Sequence, residues 1–291
     1  DKLNHALDGV YSNGESVEKA SQAATSIVEN NLTAFKKYLD DPDSEISQYV
    51  GENGIVYSYD TKFSVYTYDS DDVLLNTDGS TLSEGKQAAK SAMGDMTHMS
   101  EAMGNSSETT ENFEELIPGS GEAMISTAIT DSYDVLYGAW PSSYDELVLI
   151  LDENNEISTE TLYELGILPS SAYDKLMEKI ADGKKVKLET ESWSYEDICK
   201  QDFYLLPACD TYEKNENDTF DSISEDKAEL KSRLQDAVKL KIKGIIRPKE
   251  DAASASLSAP LGYTKALTDY LIDYTDDSAV VKAQKKDKKV N

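Results

Sequence analysis

Two histidines and two cysteines bound the chemistry that this 291-residue chain can perform. His98 stands among Met93, Met96, Met99 and Met103. Thioethers and an imidazole suit a soft ion such as Cu(I). The same spacing of three and four also makes one helical face that packs against a sheet, and the packing reading is favoured. His5 lies in a polar N-terminal stretch. Catalytic triads therefore have almost no candidates. Cys199 and Cys209 could pair across a short loop on an oxidising surface. Two free, buried thiols are the favoured state, and with no histidine nearby they are not a zinc site.

Oxygen-rich motifs fare little better. Asp152, Asn154, Glu156 and Ser158 alternate as the ligands of a calcium loop would. A calcium loop begun at Asp152 would want Gly at 157 and Glu at 163, where the chain has Ile157 and Tyr163. A solvated turn, with Ser158 capping the next helix, explains these residues better. Ser83-Glu84-Gly85-Lys86 and Ser224-Glu225-Asp226-Lys227 match the S-x-x-K pattern without the companion motifs of penicillin-binding enzymes. Ser224 is better used as a helix cap. Gly119-Ser120-Gly121 lacks a third glycine and a preceding strand, so it is no dinucleotide loop. No Walker A motif occurs. Carboxylate pairs abound, and none is marked out as an acid/base couple without geometry.

The charge balance explains that abundance. There are 56 acidic and 28 basic residues, for a net charge of −28. Nucleic-acid binding needs a basic footprint, so that class is excluded, and docking on anionic lipid is disfavoured. Self-repulsion of a surface domain is the plain consequence of such a charge and the favoured reading; attraction for a cationic ligand, such as a cationic peptide, is the sharper one. Hydrophobic residues are 39% and aromatics 9%, enough for a core. Tyr supplies 18 of the aromatics and Phe only 5, which suits half-wet surfaces where a ring packs and its hydroxyl meets water. No apolar run approaches the ~18 residues that span a bilayer. The chain starts at Asp1 without a signal peptide, and a piece of a longer protein is the expectation.

The elements follow from periodicity. Residues 16–39 read as an amphipathic helix with Ser16 as cap and Ala20, Ala24, Ile27, Val28, Leu32, Phe35 and Leu39 on one face. Ile55, Tyr57 and Tyr59 alternate in one strand. Phe63 and Val65 oppose Tyr66 and Tyr68 in another, with a hairpin turn at Asp60-Thr61. Residues 82–103 are expected to be a weak helix, 104–112 a polar stretch of low order, and 121–129 a short helix feeding a strand at 133–137. Trp140-Pro141 turns the chain into a run at 146–151 that reads as a strand buried on both faces. Helices are expected at 158–165 and 170–181, capped by Ser158 and Ser170 and stopped at Gly166 and Gly183. A strand at 185–190, a helical turn opened by Ser194, a strand at 203–208 and a polar loop at 212–222 come next. A helix runs from Ser224 to Ala237. Val238, Leu240 and Ile242 then alternate with Lys239, Lys241 and Lys243, an antiparallel strand with one wet face. An amphipathic helix at 264–274 precedes a frayed basic tail at 282–291. Helices and strands mix without strict alternation, so the fold class is α+β.

Residues 133–158, YDVLYGAWPSSYDELVLILDENNEIS, closely resemble the extracytoplasmic domain of ABC transporter permeases of the MacB/FtsX-like class, in the Gram-positive branch. Leu162-Tyr163-Glu164-Leu165-Gly166 and the stretch 240–248, LKIKGIIRP, continue the match in the family's order, so that it covers most of residues 30–283. The resemblance implies a mixed sheet with packed helices: a main α+β unit from 1–151 plus 238–291, with a smaller lobe inserted at 152–237. It implies a non-catalytic domain on the extracellular face of the cell membrane. Such a domain couples ATP-driven motion of membrane helices to a peptide, antimicrobial or lipid substrate, and its two ends lie on one membrane-facing side. The partners implied are the membrane helices of the same permease and an ABC ATPase. No cofactor is expected in this piece, since ATP belongs to the ATPase. Trp140 is expected to pack its turn. A ligand surface, if present, is expected in the acidic stretch 189–196, at Glu191, Trp193 and Tyr195. The rival reading is a free-standing surface binding protein, an adhesin or peptide receptor. A cell-wall hydrolase or peptidase is a third, and it would need a cleft with converging carboxylates or a metal.

Overall fold

The computed structural model of the chain describes residues 32–39, 41, 43–46, 49, 61–82, 112–119, 123–186, 188, 190–224, 226–250, 252 and 257–286. The strand expected at 55–59, the start of the first helix, the methionine-rich stretch with His98, and Ser83 to Lys86 lie outside these residues. Within them the expected α+β class holds.

Eight strands form one mixed sheet. They are β1 (Phe63–Tyr68), β2 (Leu74–Asn76), β3 (Phe113–Glu115), β4 (Tyr133–Gly138), β5 (Glu146–Ile150), β6 (Asp202–Pro207), β9 (Val238–Pro248) and β10 (Leu261–Tyr263). The order is β2-β1-β6-β9-β5-β10-β3, and β4 also pairs with β9. The β5–β9 and β10–β3 pairs are parallel, and all others are antiparallel. A separate hairpin joins β7 (Tyr212–Lys214) to β8 (Phe220–Ser222). The helices are α1 (Leu32–Leu39), α2 (Thr127–Thr130), α3 (Thr159–Glu164), α4 (Ser170–Ala181), α5 (Tyr195–Ile198), α6 (Lys227–Gln235), α7 (Lys265–Asp277) and α8 (Ala279–Lys286).

The apolar run at β5 is buried on both faces because it feeds two cores. Leu147 and Leu149 enter the main core with Phe63, Val65, Phe203, Leu205, Leu240, Ile242 and the helix residues Leu267 and Leu271. Val148 and Ile150 point the other way, to Leu116, Ile129, Tyr133 and Ile246, with Trp140 packed against them. Period-two alternation divides one sequence run between two layers. On β1 and β6 the reverse face carries Tyr66 and Leu206, which α6 covers with Leu230 and Leu234. Each fully buried Leu or Phe contributes roughly 1.5–3 kcal/mol by leaving water, so these side chains hold the layers together.

β9 shows how one extra residue re-aims a strand. Lys239, Lys241 and Lys243 are exposed while Leu240 and Ile242 are buried. The register against β5 then slips by one: Leu147 faces Ile242, but Val148 faces Gly244. This bulge ends the alternation, and Ile245 and Ile246 are both buried, in the two different cores. The wet face is neutralised locally. Lys243 pairs with Glu146 at 2.9 Å, and Lys239 lies 3.8 Å from Asp202 and 5.3 Å from the centre of the Tyr204 ring. β4 meets β9 backbone to backbone at Gly138 and Gly244. A Cβ on Gly138 would fall 2.1 Å from the Lys243 carbonyl oxygen, so only glycine fits.

Several local expectations are corrected. Residues 212–222 are the β7–β8 hairpin, because Asn215 Oδ1 accepts from the backbone N–H of Asn217 and Thr219 and closes the turn. Among the described residues of 185–190 there is no strand. Among the described residues of the helix expected at 121–129, only those of α2, capped by Ser126, are helical. Asp226 rather than Ser224 caps α6, because its carboxylate reaches two amides, those of Ala228 and Glu229. Ser170 is the first helical residue of α4 rather than its cap. Residues 282–286 of the basic tail are helical, as the end of α8. Segment 152–237 supplies β6 to the middle of the main sheet, between β1 and β9, so the sheet does not divide at those boundaries. What the segment places outside the sheet is α3 to α6 and the β7–β8 hairpin.

Candidate functional site

The residues expected to form a ligand surface come from the start of α5. Ser194 caps this turn, its Oγ accepting from the Asp197 amide at 3.1 Å. Trp193 and Tyr195 are half-buried and pack against the main core. With Leu149, Leu151, Ile157, Leu162, Ile167, Ile198 and Ile245 they close a cavity of about 20 Å³, near the volume of a single water and lined by apolar side chains. Glu191 is exposed, and its charge adds to burial in raising the Tyr163 hydroxyl pKa. The structure thus brings Trp193 and Tyr195 together as a cover over the core and leaves Glu191 on the surface beside them. Tyr137 lies 6.1 Å, ring to ring, from Tyr195.

The oxygen-rich turn at Asp152 satisfies itself. Asp152 Oδ1 accepts from the amides of Asn154 at 2.8 Å and Glu156 at 2.7 Å. Asn155 takes φ 62° and accepts from the Arg247 guanidinium. Ser158 Oγ caps α3 through the Thr161 amide. Among the described residues no group of three or more His, Cys, Asp or Glu is placed to hold a metal ion. Cys199 is half-buried and Cys209 buried, both as free thiols. Burial, with Asp210 next, pushes the Cys209 thiol pKa up.

A larger opening lies elsewhere. A groove of about 550 Å³ runs between the β7–β8 hairpin and the C-terminal helices, within the roughly 300–1,000 Å³ of small-ligand sites. The turn after β6 supplies Cys209 and Asp210, the hairpin supplies Tyr212 and Phe220, and α6 supplies Arg233. The opposite wall is one stripe of α7: Tyr270, Asp273, Tyr274 and Asp277. Their spacing of three and four puts them on one helical face. Tyr270 stacks on Tyr144, with ring centres 4.7 Å apart and planes 15° from parallel, and on Tyr274 at 5.8 Å and 28°. The Tyr274 hydroxyl donates to Asp210 Oδ2 at 2.9 Å. Burial, followed by that bond and the Asp210 charge, holds the Tyr274 hydroxyl pKa well above the usual tyrosine range. Burial, with Tyr144 and Asp210 after it, also raises that of Tyr270.

The charge of the groove is negative. Arg233 is held by Glu229 at 2.9 Å, and Asp277 is met by Lys282 at 3.1 Å. Asp210 and Asp273 form no ion pair among the described residues. Rings that stack beside uncompensated carboxylates suit an organic cation, through attraction to the ring quadrupole and to the charge. The sequence carried a signal for this wall in the repeated Tyr-x-x-Asp at 270–273 and 274–277. The opposite wall had none, because it depends on a hairpin that reads as a polar loop.

Compared with known proteins, the chain matches no protein-family model, no curated protein and no solved structure.

Proposed function

We propose that the chain is the extracellular domain of an ABC transporter permease of the MacB/FtsX-like class, a non-catalytic unit between membrane helices and a substrate outside the membrane. One observation supports this reading above others. The stretches that carry the resemblance run from residue 133 to residue 248, 115 positions apart at their ends, yet they meet at the centre of the sheet. β4 and β5, from the first stretch, both pair with β9, from the last, and Leu165 of the middle stretch is buried in the same core as β5 and β9. The resembling residues are therefore the framework of the fold, as expected where a family shares packing and turns rather than catalytic groups.

The groove gives this framework something to act on. One wall comes from residues 209–233 and the other from 270–280, so a hinge or shear between those segments would change its width. A free-standing surface binding protein would use the same groove without such coupling. Reading the parent gene on both sides of this coding segment separates the two. Flanking membrane spans, with a co-purifying ATPase whose turnover changes when this domain is removed, support the permease. A wall anchor with no flanking spans sinks it and leaves the binding protein.

A further inference from the structure

We propose that the groove between the β7–β8 hairpin and α7 binds a guanidinium, as carried by an arginine side chain of a basic peptide. This names a substrate class for the surface role above and rests on that reading for its place in transport, though not for the binding itself.

The argument is chemical complementarity. A guanidinium is planar, stacks on aromatic faces and donates paired hydrogen bonds to carboxylates. The stripe on α7 carries both kinds of partner, the rings of Tyr270 and Tyr274 and the carboxylate of Asp273, while Asp277 is already paired with Lys282. Across the groove, Asp210 Oδ2 is engaged by Tyr274. Among the described residues its Oδ1 accepts only from the Cys209 thiol, at 3.8 Å, a weak donor that leaves acceptor capacity. Phe220 and Tyr212 from the hairpin supply apolar lining for an alkyl stem. The groove's own cations are committed, Arg233 to Glu229 and, beside it, Lys282 to Asp277. A metal ion fits less well, since no three ligating groups converge among the described residues. A quaternary ammonium would leave the carboxylates without donors. The net charge of −28 draws any cation toward the chain, so the claim concerns where and which, not merely whether.

The test is calorimetric titration of the 291-residue chain with triarginine, trilysine and tetramethylammonium at 0.15 M salt, where charges beyond about 8 Å are screened. Triarginine is expected to bind more tightly than the other two. Tyr270→Ala, which changes no charge, and Asp273→Asn, at an exposed position, are each expected to weaken triarginine about fivefold, the scale of one cation–π or exposed charge contact. Glu153→Gln, in the Asp152 turn, is expected to leave it unchanged. Tyr270→Phe keeps the ring and should keep the binding, which separates a lost contact from a lost fold. Equal affinity in Tyr270→Ala, Asp273→Asn and Glu153→Gln would reveal diffuse attraction and overturn the site. Tetramethylammonium binding as tightly as triarginine would overturn the guanidinium. Neither result touches the permease reading, which stands or falls on the flanking gene.

Discussion

The Tyr274 hydroxyl and the Asp210 carboxylate, 64 positions apart in sequence, are joined by a hydrogen bond of 2.9 Å. That bond fastens α7 to the turn that follows β6, and it joins two residues that line the groove. Its donor must stay protonated. Burial and the neighbouring carboxylate both oppose a phenolate, so the Tyr274 pKa is raised. A raised folded-state value means that the stability contributed is complete below the free tyrosine value of about 10 and is lost as pH rises through the higher, folded value.

Tyr274→Phe tests that bond. The residue is 42% exposed, so the loss should be modest, about 1 kcal/mol in urea unfolding at neutral pH. A tyrosinate absorbance titration of the variant should lack one late-ionising step. The late step of Tyr263, which burial and then the Glu115 charge push up to about 12, should remain. Loss of a step in the ordinary tyrosine range, with every late step intact, would mean that the Tyr274 pKa is not raised.

Asp69 carries a heavier structural load at the end of β1. Its carboxylate accepts from the Ser170 amide and hydroxyl at 2.8 and 2.7 Å and from the amides of Asp71 and Val73, both at 2.9 Å. It thus performs the N-terminal capping that Ser170 was expected to perform for α4. Burial alone would raise its pKa, but the four hydrogen bonds outweigh burial and lower it. The sign is that of a depressed carboxylate. The stability is present above the unfolded value of about 4 and is lost as pH falls through the folded value. Asp69→Ala should cost about 2–4 kcal/mol at pH 7, with the gap from the wild type narrowing in acid. A gap independent of pH would show that packing, not charge, is lost.

Asp69 also marks where the sequence stopped being legible. Strong periodicity gave the centre of the sheet: the alternating lysines of β9, the apolar run of β5 and the residues Phe63, Val65 and Phe203. Local caps at Ser158 and Ser194 were readable because donor and acceptor lie within a few residues. The cap on α4 comes from 101 positions away, and no local pattern encodes it. The strands β2, β3 and β10 are three residues each, too short for alternation to show. The β7–β8 hairpin is polar on nearly every position, and its order comes from Asn215 bonds inside the turn. The groove needs both that hairpin and α7, so one wall was written in the sequence and the other was not.

Two glycines share a backbone conformation and should differ sharply on substitution. Gly138 has φ 68° and Gly183 φ 69°. An added Cβ at Gly183 meets nothing within 4 Å, whereas at Gly138 it meets the Lys243 carbonyl oxygen. Gly183→Ala should cost only the left-handed backbone term, about 1–2 kcal/mol. Gly138→Ala adds a collision between two hydrogen-bonded backbones, β4 and β9. It should cost more than about 4 kcal/mol or prevent folding. Denaturant midpoints of the two variants decide it, and equal shifts would mean that β4 can move off β9 at little cost.

Trp193 and Glu191 lie two residues apart and were expected to share one surface role, but the core claims only the tryptophan. Trp193 packs with Tyr195 over Leu149, Leu162 and Ile245, closing the small apolar cavity beneath. Trp193→Ala would open that cavity to water and remove a large half-buried ring. The expected loss is about 2–3 kcal/mol, somewhat under that of a fully buried aromatic. Glu191→Gln changes an exposed charge and should stay within about 0.5 kcal/mol. Its one distinct effect should be on Tyr163, whose hydroxyl pKa is raised by burial first and by Glu191 second. Removing the charge should bring the Tyr163 titration slightly down. Thermal unfolding of both variants, with triarginine present and absent, separates structure from binding. If Trp193 serves packing, its loss lowers the transition temperature and leaves the ligand-induced rise intact. A stable Trp193→Ala chain that no longer responds to triarginine would instead move the binding surface to α5.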